Sequence, residues 1–126
     1  MSYYIARTVA GPFETVVADV VERLKAQGFG ILSDIDVQAT LKAKLGADMP
    51  PYRILGACNP AFAHQALQIE DKLGVLLPCN VIVRETADRR VEVASVDPVV
   101  SLDRTGNTAL ASTADEVRRR LASVIE

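Results

Sequence analysis

The chain has 126 residues, of which 49% are hydrophobic and 24% are charged, a composition that suits one domain with its own hydrophobic core. The 14 basic and 16 acidic residues leave a formal net charge of -2 and are spread along the chain, so we expect no large positive surface and no nucleic-acid partner. No stretch approaches the roughly 20 apolar residues of a membrane span, and no basic segment with a long apolar run opens the chain. We therefore expect a cytoplasmic protein without a membrane partner.

The first part of the chain predicts strands that alternate with helices. Aromatic and β-branched residues predict a strand over residues 3–9, which ends at Gly11-Pro12. Apolar residues at helical spacing then predict a helix whose buried side is formed by Phe13, Val16, Val17, Val20, Val21 and Leu24. A second strand over residues 29–35 is followed by a short helix, which Asp36 caps and Gly46 closes.

The middle of the chain predicts a strand followed by a helix. Residues 52–57 form the third predicted strand. Asn59 is a good N-cap and Pro60 suits the first helical turn, so the segment through residue 68 should be helical. We expect its buried side to consist of Phe62, Ala66 and Ile69.

The last part of the chain predicts a hairpin and a final helix. Residues 75–84 and 90–96 are rich in β-branched residues and are joined by a short polar link. Pro78 interrupts the first run, so we expect regular pairing to start at Cys79. One helical turn is expected in the connection that follows. A capping box over residues 113–116 predicts the start of the last helix, whose buried side is formed by Val117, Leu121 and Val124.

The predicted order of elements is therefore βαβαβαββα, which we assign to the α+β class. In this fold the helices pack on a mostly antiparallel or mixed sheet within a single domain, residues 1–126. A doubly wound parallel sheet is the alternative, because the first three strands alternate with helices.

Two Cys-Asn steps mark the best candidate for a site. Cys58-Asn59 ends a predicted strand at a helix start, and Cys79-Asn80 begins another predicted strand. If the two strands are neighbours, the thiols, the amides and the first turn of the helix line one pocket. The spacing of the two cysteines matches no zinc-finger or Cys-x-x-Cys pattern, which predicts free thiols in a reducing compartment. A disulfide between them is the geometric alternative.

Each candidate side chain has a functional and a structural interpretation. The amides at a helix start can stabilise a Cys58 thiolate, but a buried cysteine also serves as a small apolar residue. The structural interpretation is stronger for Cys79, whose strand face is shared with Val81 and Val83. His64, the single histidine of the chain, can act as an acid, a base or a metal ligand. A hydrogen-bonded structural role is its alternative.

The remaining polar clusters have structural explanations. Asp36 is better explained as an N-cap than as the partner of Asp34 in a catalytic carboxylate pair. Arg118-Arg119-Arg120 fans around the polar side of the last helix and is expected to be solvated, with an anion patch as the alternative. Two cysteines and one histidine supply three zinc ligands without a recognised spacing, so we predict no metal site. No phosphate loop, Gly-x-Ser-x-Gly or His-Glu-x-x-His pattern occurs.

Several motifs resemble the domain of unknown function 302 (DUF302) family. The most specific one is Pro-Tyr-Arg-Ile-Leu-Gly-Ala-Cys-Asn-Pro over residues 51–60, followed by Ala63-His64 and Ala66-Leu67. Residues 28–37, 42–46 and 76–81 carry further similarity within a matching segment over residues 13–97. The resemblance implies a compact α+β fold and a homodimer, and it supplies neither catalytic residues nor a cofactor.

Three kinds of function are compatible with these features. We favour a small binding or sensing module over an enzyme, with a small-molecule ligand held by Cys58, Asn59, His64, Cys79 and Asn80. The first alternative is a thiol-dependent or metal-assisted enzyme that uses Cys58, with His64 as acid or base. The second is a structural or interaction protein. The sequence identifies no ligand, cofactor or reaction.

Overall fold

The computed structural model describes residues 2–126 and contains five strands and five helices in this part of the chain. In chain order they are β1 (Tyr4–Val9), α1 (Phe13–Ala26), β2 (Gly30–Asp36), α2 (Val37–Leu45), β3 (Tyr52–Cys58), α3 (Pro60–Ile69), β4 (Cys79–Glu85), β5 (Val91–Val96), α4 (Pro98–Asp103) and α5 (Ala111–Ile125). Short 3-10 helices, Leu73–Leu76 and Thr108–Leu110, precede β4 and α5. The predicted α+β class and element order are confirmed, with α4 in the connection where one helical turn is expected.

All five strands form one antiparallel sheet in the order β1-β5-β4-β3-β2. Because β1 and β2 form opposite edges of this sheet, α1 connects the two edges. β3 and β4 are neighbours although α3 lies between them in the chain, and β4 and β5 form the predicted hairpin. The alternative of a parallel, doubly wound sheet is therefore wrong.

The main hydrophobic core lies between one face of the sheet and helices α1 and α5. Alternation along β4 directs Val81 and Val83 to this face, and both are fully buried. α1 contributes the predicted stripe, with Val21 half-buried at its margin. α5 contributes the predicted residues Val117, Leu121 and Val124.

A second, smaller hydrophobic cluster lies between α3, α4, α5 and the two 3-10 helices. It consists of Ala66, Leu73, Leu102, Leu110 and Ala114. Phe62 of α3 is half-buried against the main core, whereas Ile69 is 36% exposed. The prediction that Ile69 is buried is wrong. Ile69 shares a helix face with Ala66, but it is the last residue of α3, and the packing that covers Ala66 does not extend to this end of the helix.

The start of α5 differs from the predicted capping box. The helix begins at Ala111, because a 3-10 helix capped by Asn107 leads directly into it. The Asn107 side chain accepts a hydrogen bond from the Ala109 amide at 3.1 Å. Thr113 consequently lies inside α5, where it is buried, and Glu116 pairs with arginines of the same helix.

The other predicted helix ends are present. The Asp36 side chain accepts a hydrogen bond from the Ala39 amide at 2.9 Å, and Gly46 ends α2 in the left-handed conformation. The Asn59 side chain accepts a hydrogen bond from the Phe62 amide at 3.3 Å, which caps α3. Local capping signals therefore set the starts of both helices.

The three arginines of α5 are engaged in ion pairs. Arg118 Nε lies 2.9 Å from the carboxylate of the buried Asp97, while Arg119 and Arg120 both pair with Glu116. These contacts argue against the alternative of a free anion patch. In residues 2–126, every helix is too short or too polar to cross a membrane.

Candidate functional site

A cavity of about 350 Å³ lies at the junction of the two hydrophobic clusters. Phe29, Ala57 and Val117 line it from the main core, and Ala66 and Leu102 line it from the smaller cluster. The walls of the cavity are therefore formed by strands of the sheet and by helices of both hydrophobic clusters.

The connection between β3 and β4 creates this space. β3 and β4 are antiparallel neighbours, so the segment between them leaves and returns at the same end of the sheet. α3 covers that end with the small side chains of Ala63 and Ala66, and Gly74 lines the cavity from the 3-10 helix that follows. Small residues at these positions leave a volume that larger side chains would fill.

The mouth of the cavity is apolar. Leu32 and Leu67 line the cavity and are 69% and 40% exposed, so they lie where it meets solvent. Exposed leucines grouped at a concave site are typical of surfaces that bind an apolar partner or ligand.

Both cysteine thiols lie on this cavity. Cys58 is the last residue of β3 and Cys79 is the first of β4, with Ala57 directly opposite Cys79 in the register. Both are free thiols and both are half-buried. Burial raises the pKa of Cys79 to about 11, and the nearby Cys58 thiolate adds to this effect. Cys79 is therefore a neutral thiol at pH 7.

Asn59 lies beside the thiols and is fixed by the start of α3. Its Oδ1 accepts the capping hydrogen bond from Phe62, and its Nδ2 lies against Gly28. A Cβ atom at Gly28 would lie only 2.9 Å from this Nδ2, and Gly28 has a φ of 87°. Glycine at this position therefore makes room for the Asn59 side chain that lines the cavity.

Thr113 is a polar residue of the cavity that the sequence analysis missed. It lines the cavity from α5 and is only 8% exposed. Among the described residues no side-chain polar atom is both fully buried and without a hydrogen-bond partner, and the Thr113 hydroxyl is no exception. The available signal was the spacing, because Thr113 precedes the buried Val117 by four residues and hence shares its helix face.

The structure brings Cys58, Asn59 and Cys79 together on the cavity but not His64 or Asn80. His64 is exposed on α3, and its Nε2 lies 3.2 Å from Nε2 of Gln68. Asn80 is exposed and, by alternation from Cys79, belongs to the opposite face of the sheet.

Comparison with known proteins agrees with the resemblance in the motifs. The model of the domain of unknown function DUF302 matches residues 5–126. The chain belongs to the DUF302 family. A crystal structure of an uncharacterized conserved DUF302 protein from Bacillus stearothermophilus has 26% sequence identity and a TM-score of 0.92, and the alignment covers 99% of this chain and 97% of that one. No curated protein matches this chain.

The DUF302 cavity offers few groups for acid–base chemistry or metal binding. No Asp, Glu, Lys, Arg or His is among the described residues that line it. The described part of the chain likewise contains no group of three or more His, Cys, Asp or Glu side chains that could hold a metal ion. The polar groups on the cavity are the thiols of Cys58 and Cys79, the Asn59 amide and the Thr113 hydroxyl.

The DUF302 chain has a second concave region on the sheet face opposite the main core. We call it the open face, and it is a depression of about 480 Å³ lined by Tyr4, Tyr52, Ile82, Arg84, Glu92 and Ala94, among others. An ion pair crosses it, in which Arg84 Nε lies 2.7 Å from Glu92 Oε1. Tyr4 is 47% exposed at its margin.

Proposed function

We propose that this DUF302 domain is a small binding or sensing module and that its ligand occupies the 350 Å³ cavity. The observation that carries the proposal is the cavity itself, whose size falls within the range of about 300–1,000 Å³ typical of small-molecule sites. Such sites are mostly apolar with a few polar groups that orient the ligand. Here those groups belong to Cys58, Asn59, Cys79 and Thr113.

Naphthalene provides a direct test, because it is an apolar probe that requires no specific polar contact. We expect saturable binding by the native chain, measured by ligand-observed NMR. Ala63→Phe should abolish this binding, since Ala63 lines the cavity and the larger ring occupies its volume. The matched control is Ala61→Phe on the exposed side of α3, which should bind as the native chain does. Equal binding by both variants would place the probe elsewhere and reject the cavity as the site.

The thiol-dependent enzyme has less support. His64 lies outside the cavity, and none of the described residues that line it is an acid or base of the usual catalytic types. Cys58 therefore lacks the adjacent general base that activates a weak nucleophile.

We further propose that the chain forms a homodimer through the open face. The supporting observation is that this face combines apolar side chains with one positive and one negative group, Arg84 and Glu92. In a two-fold symmetric dimer the second copy presents the same Arg84 and Glu92. Arg84 of each copy can then pair with Glu92 of the other across the interface. The apolar side chains of this face, among them Tyr4 and Ile82, would be removed from water in such an interface.

The oligomeric state tests this proposal. Ile82→Glu places a charge on the open face and should convert a dimer to a monomer in sedimentation velocity. Val75→Glu is the control, because Val75 is 86% exposed and lies outside the open face. A native chain that sediments as a monomer, or an Ile82→Glu variant that remains dimeric, rejects this interface.

We propose a reducing location such as the cytoplasm for the chain. The support is the pair of free thiols, Cys58 and Cys79, on one cavity, because neighbouring thiols persist where glutathione and thioredoxin keep them reduced.

A further inference from the structure

We infer that the cavity selects an electrically neutral, two-ring or medium-chain apolar ligand that carries one hydrogen-bonding group directed at Thr113. This inference rests on the proposed binding function and specifies the chemistry of the ligand. Three features of the cavity carry it, namely its size, the lack of charged residues on its walls, and the presence of one hydroxyl-bearing residue, Thr113, among them.

The volume of the cavity sets the size of the part of the ligand that it holds. An apolar protein cavity of about 150 Å³ accommodates benzene. The present cavity, at about 350 Å³, has room for roughly twice that molecule. This volume corresponds to a fused two-ring compound or a chain of about ten carbons.

The walls of the cavity select against charge. A carboxylate placed there would lose its hydration without gaining a cationic partner, because the described lining residues include no Lys, Arg or His. Arg120 lies over the Phe62 ring, 5.2 Å from its centroid, but donates to the Glu116 carboxylate and to the Gln27 carbonyl. A cationic ligand would likewise find no carboxylate among those lining residues.

Thr113 provides the polar contact that distinguishes a suitable ligand from a plain hydrocarbon. Thr113 is 8% exposed, and it is the one hydroxyl-bearing residue among the described residues that line the cavity. A ligand carbonyl or hydroxyl can form a hydrogen bond with a hydroxyl on the cavity wall, which a hydrocarbon cannot do. We therefore expect Thr113 to orient the ligand by its single polar end.

Three naphthalene compounds separate these features. At about pH 7, 2-naphthol is neutral and hydrogen-bonding, 2-naphthoate is anionic, and naphthalene has no polar group. We expect the native chain to bind 2-naphthol at least tenfold more tightly than 2-naphthoate. The chain contains no tryptophan, so naphthol fluorescence reports binding directly, with NMR for naphthalene.

Substitutions at Thr113 test the orienting contact. Thr113→Val should weaken 2-naphthol binding about fivefold and leave naphthalene unchanged, since one neutral hydrogen bond is lost. Thr113→Ser keeps the hydroxyl and should keep the preference for 2-naphthol. This variant tests the role of the hydroxyl even if Thr113→Val folds poorly.

The outcomes distinguish this inference from the proposed function. Tight binding of 2-naphthoate, or loss of 2-naphthol and naphthalene to the same extent in Thr113→Val, overturns the ligand class while the binding function stands. Absence of binding by all three compounds overturns both proposals.

Discussion

One of the two thiols on the cavity, that of Cys79, has a raised pKa. Burial raises the pKa of Cys79 to about 11, and the Cys58 thiolate adds to the increase. Since the thiolate is the reactive species, Cys79 should react slowly between about pH 7 and pH 9. We expect iodoacetamide to label Cys58 faster than Cys79 in the native chain, as measured by peptide mass spectrometry. Cys58→Ser is the control, because Cys79 stays buried and should remain slow. Faster labelling of Cys79 than of Cys58 would contradict the ionisation argument.

At the residue scale, the sequence located part of the candidate site and missed one member. Cys58, Asn59 and Cys79 were identifiable because they lie at the ends of predicted elements, and both thiols and the amide line the cavity. The capping-box pattern predicts Thr113 at the start of the last helix, whereas Thr113 lies on the buried side within α5. His64 is a candidate by residue type, but residue type alone does not determine which side of α3 it occupies.

At the scale of elements, the two capped helices provide a matched pair. Asn59→Ala removes the side-chain cap of α3, which packs on the smaller hydrophobic cluster, and should cost about 0.5 to 2 kcal/mol in urea unfolding. Asp36→Ala removes the equivalent cap of α2, which has no buried residue. We expect its cost to be smaller, because α2 can fray without exposing core residues. A larger cost for Asp36→Ala would show that capping and core packing are not coupled in this way.

The element scale also explains which parts of the fold were predictable. The apolar stripe of α1 and the caps at Asp36 and Asn59 depend on neighbouring residues and were correctly predicted. The predicted start of the last helix was wrong, because a 3-10 helix capped by Asn107 leads into α5 and the helix begins earlier, at Ala111. Local sequence patterns do not predict the order of strands in the sheet. Alternation specifies which face of the sheet a side chain lies on, but not which strand is its neighbour.

At the scale of the whole molecule, α1 joins the two opposite edges of the sheet, β1 and β2, and packs across the core between them. The packing of α1 on the core therefore contributes to the stability of the entire sheet. Val20 lies on the core side of this helix and is 3% exposed. An aspartate there would be a buried charge without a partner, the kind of substitution that destabilises most.

We expect Val20→Asp to lower the free energy of unfolding by more than about 4 kcal/mol, which for a domain of this size leaves little folded protein. Val20→Ala should cost about 1 to 3 kcal/mol and remain measurable in urea by circular dichroism, because it removes buried methyl groups without adding charge. The control is Ala18→Asp, which introduces the same carboxylate on the exposed side of α1 and should change stability by less than about 1 kcal/mol. If Val20→Asp were tolerated as well as Ala18→Asp, α1 would not hold the sheet by its apolar stripe. The loss should also be cooperative, with helix and sheet signals disappearing together, because both depend on one core.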